Sequence, residues 1–190
     1  TPDPAYLHQL LADLADAGVD HIAFEASSHG LDQGRLDGVR LTAGGFTHIT
    51  QDHLDYHGTM EAYFYAKARL FGELIPPGGT AVINVDTPGG RSMEDLAWGR
   101  GLKLITVGRE ADCDLSISDV APTRAGQQFT ARWQSTEMAV HLPLIGRFQA
   151  DNALLAAGLA IAAGLEPHRA LSALETLHGV PGRMELVGSS

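Results

Sequence analysis

Cysteine is almost absent. Cys113 is the only one in 190 residues, so no disulfide can form within the chain, and a reducing cytosol is the expected setting. Basic residues are scarce: 13 Lys and Arg stand against 23 Asp and Glu, a net charge of -10. That balance excludes general nucleic-acid binding, which needs a basic footprint. It leaves room for a phosphorylated ligand, because a metal ion and a few local cations can hold one. No apolar run is long enough to span a bilayer, and no charged-then-apolar leader opens the sequence, so membrane insertion is not expected. Internal repeats and low-complexity linkers are missing too. So is any Gly-x-x-x-x-Gly-Lys-[Ser/Thr] phosphate loop, and the chain is therefore not expected to cradle nucleotide phosphates by itself.

What remains is a length that fits one domain and an apolar fraction of 44%, enough for a sizeable core. The opening Thr1-Pro2-Asp3-Pro4 and the closing Gly188-Ser189-Ser190 read as cut ends.

Hydrophobic spacing predicts a helix over residues 4–18, with Tyr6, Leu7, Leu10, Leu11 and Leu14 on one stripe and Gly18 at its end. Short strands are expected at 21–25, 44–50, 80–86 and 102–107. Helices are expected at 60–75, broken by Pro76-Pro77-Gly78-Gly79, and at 92–100. This alternation argues a mostly parallel sheet flanked by helices, an α/β fold. The rhythm then changes. Residues 114–120, 127–134 and 138–144 give three strands without helices between them, a small antiparallel subsheet, and helices at 151–164 and 167–177 close the chain.

In an open α/β sheet, ligands bind beyond the carboxyl ends of the strands. Three of the expected strand ends are unusually polar: Glu25-Ala26-Ser27-Ser28-His29-Gly30, then Thr50-Gln51-Asp52-His53-Leu54-Asp55-Tyr56-His57-Gly58, then Asn84 and Asp86. If the strands are parallel neighbours, the clusters share one edge. His53, His57, Asp52 and Asp55 have the chemistry to hold a divalent ion, and Glu25 with an imidazole from a neighbouring strand end could hold Mg2+. The plainer reading is a hydrogen-bonded loop in which these groups, Ser27 and Ser28 included, cap turns.

Lys67 falls on the apolar face of its expected helix, with Met60, Tyr63, Phe64, Leu70, Phe71 and Leu74. Lysines are rarely buried unpaired. One reading is snorkelling, with the stem buried and the ammonium in water. The other is a lysine held beside the strand-end carboxylates, where partial desolvation makes it chemically modifiable.

Taken in order and spacing, residues 25–35 (Glu-Ala-Ser-Ser-His-Gly-Leu-Asp-Gln-Gly-Arg), 52–58 (Asp-His-Leu-Asp-Tyr-His-Gly), Lys67 and 182–185 (Gly-Arg-Met-Glu) resemble the Mur ligases. The likeness is to the type acting on UDP-N-acetylmuramoyl-L-alanyl-D-glutamate, and it runs over nearly the whole chain. It implies an ATP-dependent ligase that adds a third amino acid, meso-diaminopimelate or L-lysine, through an acyl phosphate in cytoplasmic peptidoglycan synthesis. The whole enzyme is expected to be monomeric. By the same resemblance, Glu25 and His53 bind Mg2+, and a carbamylated Lys67 helps hold a second Mg2+. Thr1, Ser27, Gln33 and Arg35 contact the UDP-muramoyl dipeptide, and Asn152 and Arg183 lie on the ATP side. Residues 1–190 then correspond to part of the central domain. The phosphate loop is expected upstream, the domain that receives the amino acid is expected downstream, and the segment alone is expected to be inactive.

Two departures bear on these expectations. Gln51 stands where an Arg is common. Gln149 replaces the first Asn of an Asn-x-x-Asn pair whose second member is Asn152. Two other functions stay open on the residues alone. A metal-dependent hydrolase built on His53, His57 and the acidic cluster would act without ATP. A binding module would retain the sugar nucleotide without turnover.

Overall fold

The computed structural model describes residues 2–179. Thr1, Arg183 and the rest of the 182–185 motif lie outside them. The first helix, α1 (Pro4–Asp16), starts where Asp3 accepts a hydrogen bond from the Ala5 amide at 3.0 Å and Pro4 occupies the first turn. Of its expected stripe only Leu7 is fully buried, and Tyr6 faces solvent.

Residues 21–25 are not a strand. The segment carries the expected alternation, but it makes no ladder pairing among the described residues, and Ile22 and Phe24 are 40% and 38% exposed. A strand exists only where a neighbour completes its hydrogen bonds. The polar run that begins at Glu25 therefore follows an extended segment. It leads into a short helix, α2 (Ser28–Asp32), which Ser27 caps.

The sheet has six strands in the order β1-β2-β3-β4-β5-β6. These are β1 (Ala43–Phe46), β2 (Thr80–Asn84), β3 (Lys103–Gly108), β4 (Leu115–Pro122), β5 (Gln127–Trp133) and β6 (Thr136–Leu142). The first four are parallel, and β4, β5 and β6 form the expected antiparallel meander. β4 meets β3 through only Val107↔Leu115 and Gly108↔Ser116, so the meander extends from the carboxyl end of β3. β2 is buried along its whole length. Ala81 and Ile83 pack into one core, Val82 into the other, as a strand covered on both faces must.

Helices cover both faces. On one lie α4 (Met60–Arg69) and α5 (Gly90–Gly99), sharing a core of Leu7, Leu31, Phe46, Phe71, Ile83 and Met93. On the other, α6 (Arg147–Ala162) and α7 (Pro167–Ala173) pack Leu154, Leu155 and Leu171 against Val82, Val107 and Phe129. A further short helix, α3 (Leu54–His57), precedes α4. The helix expected over 60–75 changes type within its length. After Arg69 it continues as a π-helical turn (Leu70–Leu74), closed by the Ile75 amide donating to the Leu70 carbonyl at 3.0 Å. α6 begins at Arg147, four residues before the expected start.

Candidate functional site

The polar runs at 25–35 and 52–57 converge beside the carboxyl end of β1, over the first turns of α4. Ser27 caps α2, its Oγ accepting from the Gly30 amide at 3.1 Å. His53 begins α3 in a left-handed conformation, φ 55°, with its amide donating to Asp52 Oδ1 at 2.8 Å. The two runs are joined by a hydrogen bond between His57 Nε2 and Ser28 Oγ, 3.0 Å apart. His29 lies against Tyr56, His53 and His57, with ring centroids 4.1, 5.1 and 5.4 Å away.

A chain of hydrogen bonds runs outward from this cluster. Tyr56 donates its hydroxyl to Asp32 Oδ2 at 2.8 Å and accepts from Gln33 Nε2 at 3.1 Å. Gln33 Oε1 in turn accepts from Arg35, at 3.0 Å from Nε and 2.6 Å from Nη2. Gln33 and Arg35 are thus presented as a preassembled pair at the rim.

Tyr63 is the hub that sequence reading missed. It is the one aromatic of α4 that is fully buried, at 6% exposure. Its ring stacks on His57 (centroids 5.2 Å, planes 21° apart), meets the edge of His53 at 5.9 Å, and lies under the Lys67 ammonium with Nζ 5.4 Å from its centroid. Burial pushes the Lys67 pKa down from its ordinary value, and the nearby Glu25 carboxylate pulls it back up. Lys67 is therefore a half-buried cation facing an anion. His57 is also held below its usual range, first by burial and then by His29, with Asp32 opposing.

His53 and Lys67 thus meet at one ring, with the Glu25 charge acting on Lys67. Among the described residues no group of three or more His, Cys, Asp or Glu side chains is placed to hold a metal ion. Glu25 and His53 offer two ordinary donors. That number suits Mg2+, which keeps several waters and takes one or two protein ligands together with substrate phosphates. It does not suit a closed cage of the zinc kind.

The second polar line crosses the ends of the parallel strands. Thr87 Oγ1 donates to the carbonyls of Thr47 and Asn84, at 3.1 and 3.0 Å. Asp86 Oδ2 accepts from the Arg109 amide at 2.8 Å, and Arg109 Nη2 reaches Asp151 Oδ1 at 2.7 Å. Asn152 follows on α6, half-buried. The β1 and β2 ends do share one edge, as expected. Arg109 was not anticipated, because nothing in its local sequence marks it. No helix among the described residues is long and apolar enough to cross a membrane.

The model of the Mur ligase middle domain matches residues 1–160. A UDP-N-acetylmuramoyl-L-alanyl-D-glutamate--2,6-diaminopimelate ligase of Chelativorans sp. (strain BNC1) is 51% identical over 190 residues, covering 100% of this chain and 39% of the relative. One of the same name from Caulobacter vibrioides is 49% identical over 188 residues, covering 99% and 38%. A solved ligase of that name superposes with a TM-score of 0.91 at 35% identity, over 100% of this chain and 39% of the other. A pseudomurein peptide ligase type C from Methanothermus fervidus shares the fold, with a TM-score of 0.67 at 20% identity over 84% and 38% of the two chains. The chain therefore spans about two fifths of the length of these relatives.

Proposed function

This chain belongs to the Mur ligase middle-domain family, and from that premise we propose that it supplies the central part of an ATP-dependent ligase of cytoplasmic peptidoglycan synthesis. The whole enzyme joins 2,6-diaminopimelate to UDP-N-acetylmuramoyl-L-alanyl-D-glutamate. The choice of diaminopimelate over lysine rests on the names of relatives at about half identity. The γ-phosphoryl group of ATP passes to the D-glutamate carboxylate. ADP is released in that transfer; the incoming amine then attacks the acyl carbon, the C–N bond forms, the amine gives up a proton, and the acyl C–O bond breaks with its electrons leaving on phosphate.

The observation that carries this reading is the half-buried Lys67, held over the Tyr63 ring that His53 also meets and within the field of the Glu25 carboxylate. Glu25 and His53 would hold one Mg2+ and a Lys67 carbamate would help hold a second, and these ions would supply charge neutralisation at the transferring phosphoryl group. Carbamylation, in which the neutral Lys67 amine adds to CO2 and releases a proton, exchanges a cation for an anionic oxygen donor suited to the second ion. Ser27, Gln33, Arg35 and Thr1 hold the dipeptide substrate. Planar Arg35, already aligned by Gln33, suits a carboxylate or phosphate. Asn152 and Arg183 serve the nucleotide.

The test is made in the full-length protein. Lys67→Ala should abolish ligation and regain part of it with a short carboxylic acid. Glu25→Gln should raise the Mg2+ requirement while leaving dipeptide binding close to wild type. Full activity of Lys67→Ala without additive, or hydrolysis of the substrate without ATP, would overturn the reading.

A further inference from the structure

One strongly built contact lies outside these roles. Arg69 stands two residues beyond Lys67, at the end of α4, and its side chain is only 24% exposed. Its guanidinium serves three acceptors in three directions. Nη1 donates to the carbonyl of Leu31 on α2, Nη2 to Asp37 Oδ1 at 3.2 Å, and Nε to Glu73 Oε2 at 2.8 Å. A lysine ammonium, a compact charge on a flexible stem, cannot reproduce that planar fork.

The placement of the partners matters more than their number. Leu31 and Asp37 bracket the segment that carries Gln33 and Arg35. Asp37 packs beneath its turn: a Cβ at Gly34, where φ is +65°, would stand 2.9 Å from Asp37 Oδ2. Above the turn, Gln33 and Arg35 are held by each other and by Tyr56. Below it, Arg69 reaches in from α4. Arg69 is itself fixed, because Leu70 and Phe71, the next two residues, are 7% and 1% exposed and open the π-helical turn.

We propose that Arg69 is a positioning residue: it ties the helix that carries Lys67 to the 31–37 segment, and so sets where Gln33 and Arg35 stand relative to Lys67 when the anionic sugar-nucleotide dipeptide binds. This rests on the reading that Gln33 and Arg35 contact that substrate. The geometry makes the two ends of the site, the lysine on α4 and the rim arginine, parts of one rigid unit. Loosening the clamp lets the rim drift while the lysine and its surroundings stay in place. The dipeptide is then held less well, and ATP is unaffected.

The experiment measures steady-state ligation by the full-length protein, varying the UDP-muramoyl dipeptide and ATP separately. Arg69→Lys should raise the dipeptide KM about fivefold to tenfold, with the ATP KM and kcat within about twofold of wild type. Asp37→Asn, which weakens only the contact below the turn, should raise the dipeptide KM in the same direction by less. Glu73→Gln, which disturbs the same guanidinium at an acceptor outside the 31–37 segment, should leave it unchanged. A general loss of stability would move Asp37→Asn and Glu73→Gln alike and would not select one substrate. If Arg69→Lys does not fold, the contrast between Asp37→Asn and Glu73→Gln still decides. A wild-type dipeptide KM in Asp37→Asn and in folded Arg69→Lys overturns the proposal, as does an equal effect of all three changes on both substrates. Arg35→Lys is the control: if it raises the dipeptide KM and the clamp variants do not, the clamp alone fails. If neither does, the substrate assignment beneath it fails.

Discussion

The Lys67 ammonium sits over the face of Tyr63, 5.4 Å from the ring centroid, while the same ring stacks on His57. A cation over an aromatic face gains about 0.5–2 kcal/mol, more as water is excluded. The larger consequence is geometric, since one buried ring sets the positions of Lys67, His57 and the edge of His53 at once.

Tyr63→Phe keeps that ring and should leave kcat of the proposed ligation within about threefold of wild type. Tyr63→Leu removes it and should lower kcat about tenfold to a hundredfold, the size expected when reacting groups are displaced by about 1 Å. Steady-state kinetics of the full-length variants check this. Equal activity in the two variants would show that the ring has no such role.

Asn152 should report on ATP alone. It follows Asp151, which Arg109 holds at the carboxyl end of β3. Asn152→Ala is expected to raise the ATP KM about tenfold, the value of one good hydrogen bond to a polar ligand group, with the dipeptide KM unchanged. Arg109→Ala should shift the ATP KM the same way by a smaller factor. A selective rise in the dipeptide KM would move Asn152 to the other substrate.

Gly90 admits no side chain. A Cβ there would lie 2.2 Å from the Asn84 carbonyl oxygen and 2.9 Å from Val85 Cα, both backbone atoms that cannot step aside. Gly90→Ala should destabilise the fold by about 3 kcal/mol, at the upper end of overpacking costs. Denaturant unfolding measures it, and a change below about 1 kcal/mol would contradict the close approach.

Cys113 is buried, and burial followed by the Asp86 and Asp112 charges pushes its thiol up to about 11. Because the folded pKa lies above the unfolded one, its contribution to stability is complete below the unfolded value. It fades as pH rises from about 9 toward 11. Over that window the wild type should lose about 2–3 kcal/mol that Cys113→Val does not lose. Parallel stability curves for the two proteins across the window would refute the shift. The same burial predicts that native Cys113 resists alkylation near neutral pH and reacts on unfolding.

The sequence by itself determined the elements whose cause is local. The stripe of Leu7, Leu10, Leu11 and Leu14, and the Pro76-Pro77-Gly78-Gly79 break after the next long helix, mark helices because their spacing and punctuation act within a few residues. The alternation of residues 127–134 and 138–144 announces strands because a hairpin neighbour follows directly. The same local reading put Lys67 on the inward face of its helix and brought Glu25 and His53 into view as polar residues at element ends, while Gln33 and Arg35 came into view only through the resemblance to the Mur ligases. What it could not decide depends on partners far along the chain. Residues 21–25 alternate like a strand, yet pairing, not pattern, makes one, and no described strand lies alongside. Ser28 and His57 meet across 29 positions, and Arg69 reaches Leu31 across 38. Tyr63 looked like one more apolar residue on a helix stripe. Only when the two histidine-bearing segments fold onto α4 does its ring become the surface on which Lys67, His53 and His57 are arranged. Periodicity and capping act within a few residues, whereas burial and side-chain pairing are settled by whichever distant segment packs into the same space.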